Sequence, residues 1–363
     1  MTDRPRRGEL FSMTTGEAMR KIKAVSVFLC LTAISSFAQA DDLVTVNYGG
    51  AVGEAQKQAW VEPFAKESGL ATTAISYTGD QAKIKAMTAS GDVTWDVVEI
   101  GSQNLGRGCQ DGLYEKLDWS KIINKSDLPR EAVSPCGAGI FVSSTVLAYN
   151  PKLLKGTPSG WKDFWDVQKF PGKRGMRKDA HYNLEIALMA DGVPPNQVFK
   201  VLSTKEGQDR AFRKLDELRP NIQWWEAGAQ APQFLAAGDV VMTTAWNGRI
   251  GAAQKEGNKD LAISWRQNIA DLDFFVIPKG TKRKAQAEKF IGYSLSEAAQ
   301  KAFASQITYG PVNKAALKAL DPKTLENLPN SPANSVESLT EDFSFWTDNG
   351  DALDSRFSAW ASK

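Results

Sequence analysis

Two runs of the sequence decide the fold, GDVVMTTAWNGR at residues 238–249 and DLDFFVIP at residues 271–278. Each apolar run has the length of a buried strand and lies beside aromatic or charged residues. In an α/β fold, small molecules bind at the carboxyl ends of strands. We therefore expect Trp246, Arg249 and Asp273 to lie where a small ligand would be held.

Strand and helix patterns alternate along the rest of the chain. Apolar and β-branched runs predict strands, and amphipathic runs between them predict helices. The strands are predicted at 43–48, 72–77, 95–100, 140–149, 261–265 and 271–277, and the first helices at 54–68 and 81–90. Continuous apolar strands separated by helices indicate a parallel sheet that is covered on both faces.

Residues 1–40 have the pattern of a targeting segment. A basic start, MRKIK at 19–23, precedes an apolar run at 24–34, and AQA at 38–40 offers small residues for a signal peptidase. Cys30 follows Phe28 and Leu29 rather than small residues, which argues against a lipid anchor. The sequence therefore predicts a leader over 1–40, a mature chain that begins at Asp41, and export to the periplasm.

Composition and net charge limit the classes of binding partner that we expect for this chain. Removal of residues 1–40 takes away six basic and three acidic residues, so the net charge changes from +2 to about −1. This balance gives no electrostatic footprint for nucleic acid or for an anionic membrane. A mature chain of this length predicts two domains.

Two cysteines follow the leader, Cys109 and Cys136. An oxidising periplasm favours a disulfide between them, which would stabilise the fold by about 3 kcal/mol. Two buried thiols are the alternative, because the sequence does not show how close the two residues lie.

The order and spacing of these blocks resemble the polyamine-binding branch of the solute-binding proteins of bacterial ABC transporters. The resemblance covers essentially the whole mature chain. It implies an α/β, two-lobed periplasmic binding protein fold, type II-like, with the ligand cleft between the lobes. The lobes would comprise 43–147 plus 250–307 and 148–249 plus 308–363, with crossings near 143–145 and 247–249. It also implies a monomer that delivers a small-molecule solute to an inner-membrane ABC permease.

The resemblance also implies a set of ligand-binding positions. Trp246, Asp273 and Tyr309 match the family pattern, whereas Arg249 and Asn183 stand where the polyamine branch carries acids. Backbone N–H groups of the first strand-to-helix turn can bind an anion, and an arginine matches a carboxylate with two parallel hydrogen bonds. The expected ligand-binding set is Tyr48, Gly50, Ser102, Asn183, Trp246, Arg249, Asp273 and Tyr309, with Glu226 as a looser candidate.

The replacement of two acids of the family pattern affects which ligand the site is expected to bind. An arginine at one end and an aspartate at the other would suit a short zwitterion such as an ω-amino acid. If Asp273 orients Arg249 or a water instead, a hydroxy acid or a dicarboxylic acid would fit. A polyamine is the third alternative, since its cation would face Arg249.

The residue inventory disfavours catalysis. His181 is the single histidine, so no multi-histidine metal site or histidine relay is available, and its place predicts a helix start. The sequence contains no serine-hydrolase elbow and no phosphate loop. A secreted enzyme using the same cleft, and a ferric-ion receptor, which would call for adjacent tyrosines, are the rival functions. We therefore expect no catalytic residue, no cofactor and no metal.

Overall fold

Two long strands cross the middle of one ten-stranded sheet. The computed structural model describes residues 42–362, so the predicted leader over 1–40 lies outside the described residues. The strands are β1 Leu43–Asn47, β2 Thr72–Ser76, β3 Val97–Gly101, β4 Gly137–Tyr149, β5 Arg174–Arg177, β6 Ile222–Trp225, β7 Met242–Trp246, β8 Ala262–Val276, β9 Gly310–Pro311 and β10 Leu339–Thr340.

Helices cover the sheet and connect its strands. A π-helical turn at Lys57–Val61 joins the first two helices. The α-helices are α1 Gly50–Gln56, α2 Glu62–Ser68, α3 Ala82–Ser90, α4 Ser102–Gln110, α5 Trp161–Trp165, α6 Asn183–Ala190, α7 Val198–Leu202, α8 Lys205–Leu218, α9 Gln230–Ala237, α10 Asn247–Lys255, α11 Lys284–Ser294, α12 Glu297–Gln306, α13 Lys314–Lys318, α14 Pro322–Leu325 and α15 Phe343–Ala361. Within residues 42–362, none of the helices combines the length and the apolar composition needed to cross a bilayer.

The sheet is mixed, which corrects the expectation of a parallel sheet. Its strand order is β2-β1-β3-β8-β4-β7-β5-β6, with β10 beside β8 and β9 beside β4. The outer pairs are parallel, as in β1 with β2 and β5 with β6. The central strand β8 runs antiparallel to β3 and β4, and β4 runs antiparallel to β7. Parallel order fails at the centre because β4 and β8 carry the chain across the sheet in opposite directions.

The two strands predicted at 261–265 and 271–277 form the single strand β8. Its pairing with β4 passes from Thr145–Ile269 to Leu147–Ser264, so residues 265–268 bulge out of the ladder. Gln267 has a φ of 56°, which a non-glycine residue rarely adopts. The polar residues of this bulge interrupt the apolar pattern and made one strand look like two.

The described chain has three hydrophobic cores. The first is built from residues between 43 and 141 and between 272 and 312, and the second mainly from residues between 147 and 242 and between 339 and 360. A smaller third core unites Ala148, Trp225 and Ile250 with their neighbours. The chain leaves the first core within β4 and returns to it within β8. This packing favours a crossing in β8 rather than at 247–249, and the predicted lobe boundaries stay a prediction.

Candidate ligand-binding site

The turn from β7 into α10 forms the floor of the candidate site. Asn247 fixes this turn, because its Oδ1 accepts from the backbone N–H of Ser144 at 3.0 Å and its Nδ2 donates to the carbonyl of Thr308. Gly248 lies against the ring of Tyr309, where a Cβ would come within 2.5 Å of the ring. The turn therefore holds Trp246 and Arg249 against strand β4 and the segment around Tyr309.

A small cavity of about 30 Å³ lies beside this turn, between residues of β3, β4 and β8. Five of the eight predicted binding residues line it, namely Tyr48, Trp246, Arg249, Asp273 and Tyr309. The same wall includes residues that the sequence did not indicate, among them Glu99, Phe141, Ser143, Arg177 and Tyr182. The cavity has room for about one or two water molecules.

Arg249 contributes a buried guanidinium to this cavity, and the guanidinium has few hydrogen-bond partners. Its side chain is 4% exposed, and its Nη2 donates one long hydrogen bond of 3.5 Å to the carbonyl of Tyr48. Its Nε has no hydrogen-bond partner among the described residues. A Cβ on Gly50, whose φ is +57°, would collide with Nη1 of Arg249. Gly50 therefore makes room for the guanidinium instead of lining the cavity.

Aromatic rings form the walls around the guanidinium. The Trp246 ring lies 6.2 Å from that of Tyr48 and packs edge-on against Trp225 at 5.6 Å. The guanidinium carbons of Arg177 and Arg249 lie 5.2 Å and 6.0 Å from the Trp246 ring centroid. Trp246 therefore offers a flat apolar face between two cations.

Carboxyl groups provide the opposite charge. Asp273 lines the cavity and accepts from the Ser143 hydroxyl at 3.0 Å. Burial raises the pKa of Asp273 well above its usual value, the nearby Glu99 and Asp271 raise it further, and Ser143 and Arg177 oppose the shift. An ammonium group placed here would favour the ionised carboxylate and lower this pKa.

Glu99 is a second carboxyl group of the cavity, at the buried end of β3. Burial raises its pKa to about 7, although Gln56, the backbone N–H of Tyr48 and the charge of Arg249 favour its anion. Gln56 donates to its Oε2 at 2.9 Å, and its Oε1 has no hydrogen-bond partner within the described residues. An acid inside the apolar run WDVVEI at 95–100 was the signal in the sequence that could have identified it.

Besides Gly50, two predicted binding residues lie outside the cavity lining. The amide of Asn183 donates to the carbonyls of Arg177 and Asp179, at 2.6 and 2.7 Å, and so fixes the turn before α6. Ser102 is fully buried at the start of α4, beside Asp271. Glu226, the looser candidate, lies in the wall of a neighbouring pocket. Their contribution to ligand binding stays a prediction.

Tyr182 is a cavity residue that no pattern in the sequence indicated. It has a φ of 69°, an unfavourable conformation for a bulky side chain, and its hydroxyl donates to Asp271 at 2.6 Å. Arg177, which ends β5, reaches the cavity from the same side. Both positions depend on the turn between β5 and α6, whose conformation local sequence does not specify.

Cys109 and Cys136 are paired as a disulfide, with Cα atoms 6.0 Å apart. The bridge joins the end of α4 to the segment that enters β4. This is the pairing that the sequence favoured over two buried thiols.

Comparison with known proteins identifies the family of this chain. Residues 59–333 match the family described as bacterial extracellular solute-binding protein. The chain is 49% identical to the gamma-aminobutyric acid-binding protein of Pseudomonas aeruginosa, over 93% of this chain and 96% of that protein. It is 24% identical to the spermidine/putrescine-binding periplasmic protein of Escherichia coli, over 72% of this chain and 76% of that one.

A solved structure is similar over nearly the same length. The Atu4243-GABA receptor superposes with a TM-score of 0.80 at 37% identity, covering 89% of this chain and 98% of that chain. The predicted resemblance to solute-binding proteins and the two-lobed binding-protein fold are thereby confirmed. The chain belongs to the family of bacterial extracellular solute-binding proteins.

Proposed function

We propose that this protein is the periplasmic receptor of an ABC transporter and that it captures a short ω-amino acid of the γ-aminobutyrate type. Its relatives in the family are binding proteins, and two of them carry γ-aminobutyrate in their names. The leader over 1–40 would direct the chain to the periplasm, where a monomer would deliver the solute to an inner-membrane permease. Turnover of the solute forms no part of this role.

The observation that carries the proposal is the buried guanidinium of Arg249. A buried cation without sufficient partners is costly, so a protein normally surrounds it with acceptors. Arg249 has one long hydrogen bond to the protein and lines a cavity. A ligand carboxylate would provide two short, charge-assisted hydrogen bonds in the planar geometry of the guanidinium.

The other groups of the cavity fit the remainder of such a ligand. Trp246 would cover the methylene chain, and Asp273, with Glu99 beside it, would hold the ammonium group. Both carboxyl groups have raised pKa values, so a ligand cation would relieve their mutual repulsion. A putrescine-like diamine would place its second cation against Arg249 and is the weaker alternative.

Binding would require the two sides of the cavity to separate and close again. A space for one or two waters is smaller than a four-carbon amino acid needs. The bulge at residues 265–268 and the long strands β4 and β8 provide the place for a hinge. Small-angle scattering should therefore show a smaller radius of gyration at saturating ligand. An unchanged radius at proven saturation would contradict closure.

Calorimetry against a matched set of ligands tests the proposed cargo. The set is γ-aminobutyrate and three relatives of the same chain length. Butyrate lacks the amine, succinate has a second carboxylate in place of the aminomethyl group, and putrescine has an aminomethyl group in place of the carboxylate. We expect γ-aminobutyrate to bind most tightly, because it alone pairs both charged ends. Tighter binding of putrescine would reject the carboxylate assignment, and tighter binding of succinate would identify a dicarboxylic acid as cargo.

A further inference from the structure

A second group of buried charged residues lies outside the cavity lining. His181 precedes α6, Glu185 lies in the first turn of that helix, and Glu341 directly follows β10. These three residues are 2%, 0% and 7% exposed. One nitrogen or oxygen from each residue can be chosen such that all three atoms lie within 4.8 Å of one another. The group therefore brings three potential metal ligands together from two separate segments of the chain.

Half of the polar side-chain atoms of this group lack partners. His181 Nε2 and Glu341 Oε1 lie 3.2 Å apart as an ion pair. Glu185 Oε1 accepts from the indole N–H of Trp346 at 2.8 Å. Among residues 42–362, His181 Nδ1, Glu341 Oε2 and Glu185 Oε2 have no hydrogen-bond partner. Buried polar atoms are nearly always paired, so three unpaired atoms in one place indicate a missing partner.

The charged residues of the group indicate that the missing partner is a cation. The carboxyl groups of Glu185, Glu341 and the nearby Asp271 surround a single imidazole, so acidic groups outnumber the one basic group. Asp271 already accepts from the hydroxyl of Tyr182 at 2.6 Å. A cation with more than one charge would compensate the carboxylates and coordinate the neutral imidazole as well.

We propose that His181, Glu185 and Glu341 bind one divalent transition-metal ion of the Zn²⁺ class. In a tetrahedral zinc site, ligands at about 2.0–2.2 Å from the metal lie about 3.3–3.6 Å from each other. His181 Nε2 and Glu341 Oε1 are 3.2 Å apart, and the three ligand atoms lie within 4.8 Å of one another, so small side-chain rotations would bring all three to one ion. An imidazole nitrogen disfavours Ca²⁺ and Mg²⁺, which take oxygen ligands.

The position of the site gives it an entry path and a structural role. His181 forms part of the wall of a pocket of about 460 Å³ together with Asp179 and Asp354, and this pocket would admit the ion and a water as fourth ligand. Glu341 leads into the C-terminal helix α15, whereas Glu185 belongs to α6. The ion would therefore fasten the C-terminal segment to α6.

Metal content and NMR of the one histidine test this site directly. A full-length mature chain without a histidine tag would be equilibrated with Zn²⁺, passed through a desalting column and analysed by mass spectrometry for metal. We expect about one zinc per chain, and a shift of the His181 imidazole signals in slow exchange. Because His181 is the single histidine, these signals need no assignment.

Conservative variants separate ligation from general charge. E341Q and E185Q should each lower the zinc content at least tenfold, while circular dichroism reports whether each is folded. E337Q removes an exposed carboxylate of the same segment, paired with Arg266, and should keep the wild-type zinc content. If either ligand variant is unfolded, the zinc-induced shift of the wild-type imidazole decides alone.

Two results would overturn the site. One is wild-type protein that retains no more zinc than E341Q. The other is a His181 imidazole that stays protonated and unshifted in excess Zn²⁺, which would show that a His181–Glu341 ion pair fills the place instead. Either result leaves the proposed transport function intact, since that function is tested by solute binding.

Discussion

Two buried arginines, Arg174 and Arg249, have opposite surroundings. Arg174 is fully buried, and its guanidinium donates to the carbonyls of Phe164, Gly172 and Phe170 at 2.6–2.7 Å, with a fourth contact to the carbonyl of Asp166 at 3.4 Å. Arg249 is almost as deeply buried and donates one hydrogen bond, of 3.5 Å. The fold supplies acceptors to the first guanidinium and leaves the second facing a cavity.

This difference separates a structural cation from a functional one. The loop between α5 and β5 wraps around Arg174, so its charge is compensated within the fold. Arg249 lies at a strand end between aromatic walls, where the missing acceptor must come from a solute. Burial alone does not distinguish the two arginines, whereas the number of partners does.

The largest effect on stability is expected at Arg174. Replacement by Met, a long apolar side chain, should lower the free energy of unfolding by at least about 3 kcal/mol, because each buried carbonyl that loses its donor costs about 1–3 kcal/mol. Chemical denaturation measures this change. The affinity of the folded fraction for γ-aminobutyrate should stay at the wild-type value. Lost affinity in folded Arg174→Met would remove the distinction between the two arginines.

Arg249→Ala should have the opposite effects, namely a loss of ligand affinity without a loss of stability. Loss of one partner of a buried charge pair costs about 2–5 kcal/mol, so affinity for γ-aminobutyrate should fall by a factor on the order of 30 to several thousand. Stability without ligand should not fall, since the variant removes a poorly satisfied buried charge. Arg249→Asp should abolish acid binding and gain affinity for putrescine.

Calorimetry on both variants decides the matter, with Arg210→Ala as the control. Arg210 is an arginine on the surface of α8 that pairs with Asp191, so its removal should leave affinity unchanged. Tight putrescine binding by wild type together with an unaffected Arg249→Ala would contradict the assigned role of Arg249.

Gly50→Ala tests whether the guanidinium needs its present position. The new Cβ would collide with Nη1 of Arg249, and the positive φ adds backbone strain of about 1–3 kcal/mol. We expect both stability and affinity to fall. Gly69→Ala is the matched control, because Gly69 has a φ of +69° with nothing within 4 Å of the added Cβ. It should lose stability and keep its affinity, as thermal unfolding with and without ligand would reveal.

The smallest effect is a pH dependence that arises at the carboxyl groups. Glu99 has a folded pKa of about 7, above its ordinary value, so its contribution to stability is lost as pH rises towards 7 in the free protein. Binding of an ammonium group requires the ionised acid, and below pH 7 each pH unit costs up to about 1.4 kcal/mol. Affinity for γ-aminobutyrate should therefore rise by about fivefold from pH 6 to pH 7.

Butyrate provides the control for this prediction. It lacks the amine, so its affinity should not increase over the same range, and Glu99→Gln should flatten the profile of γ-aminobutyrate. Identical pH profiles for the two ligands would place the ammonium away from these acids.

Sequence reasoning identified the part of the cavity that follows from strand ends. Trp246 and Asp273 lie beside apolar runs, and Arg249 attracted attention because it replaces an acid of the family pattern. Arg177 and Tyr182 could not be found in this way, since the turn between β5 and α6 brings them to the cavity through a positive φ at Tyr182. Asn183 was expected in the cavity for its place in the pattern, but its amide is occupied by two backbone carbonyls.

The sequence alone determined the family, the α/β class and most strand positions, because hydrophobic periodicity and residue spacing are local properties of the chain. Tertiary structure decided the antiparallel centre of the sheet and the partners that each buried charged side chain finds, because both depend on which distant segments meet. The sequence does not show that Arg174 is buried among carbonyls or that Arg249 lacks such partners. Only the folded chain shows that carbonyls surround Arg174 and that Arg249 faces a cavity. This difference in hydrogen-bond partners separates an arginine that stabilises the fold from one that is available to bind a ligand.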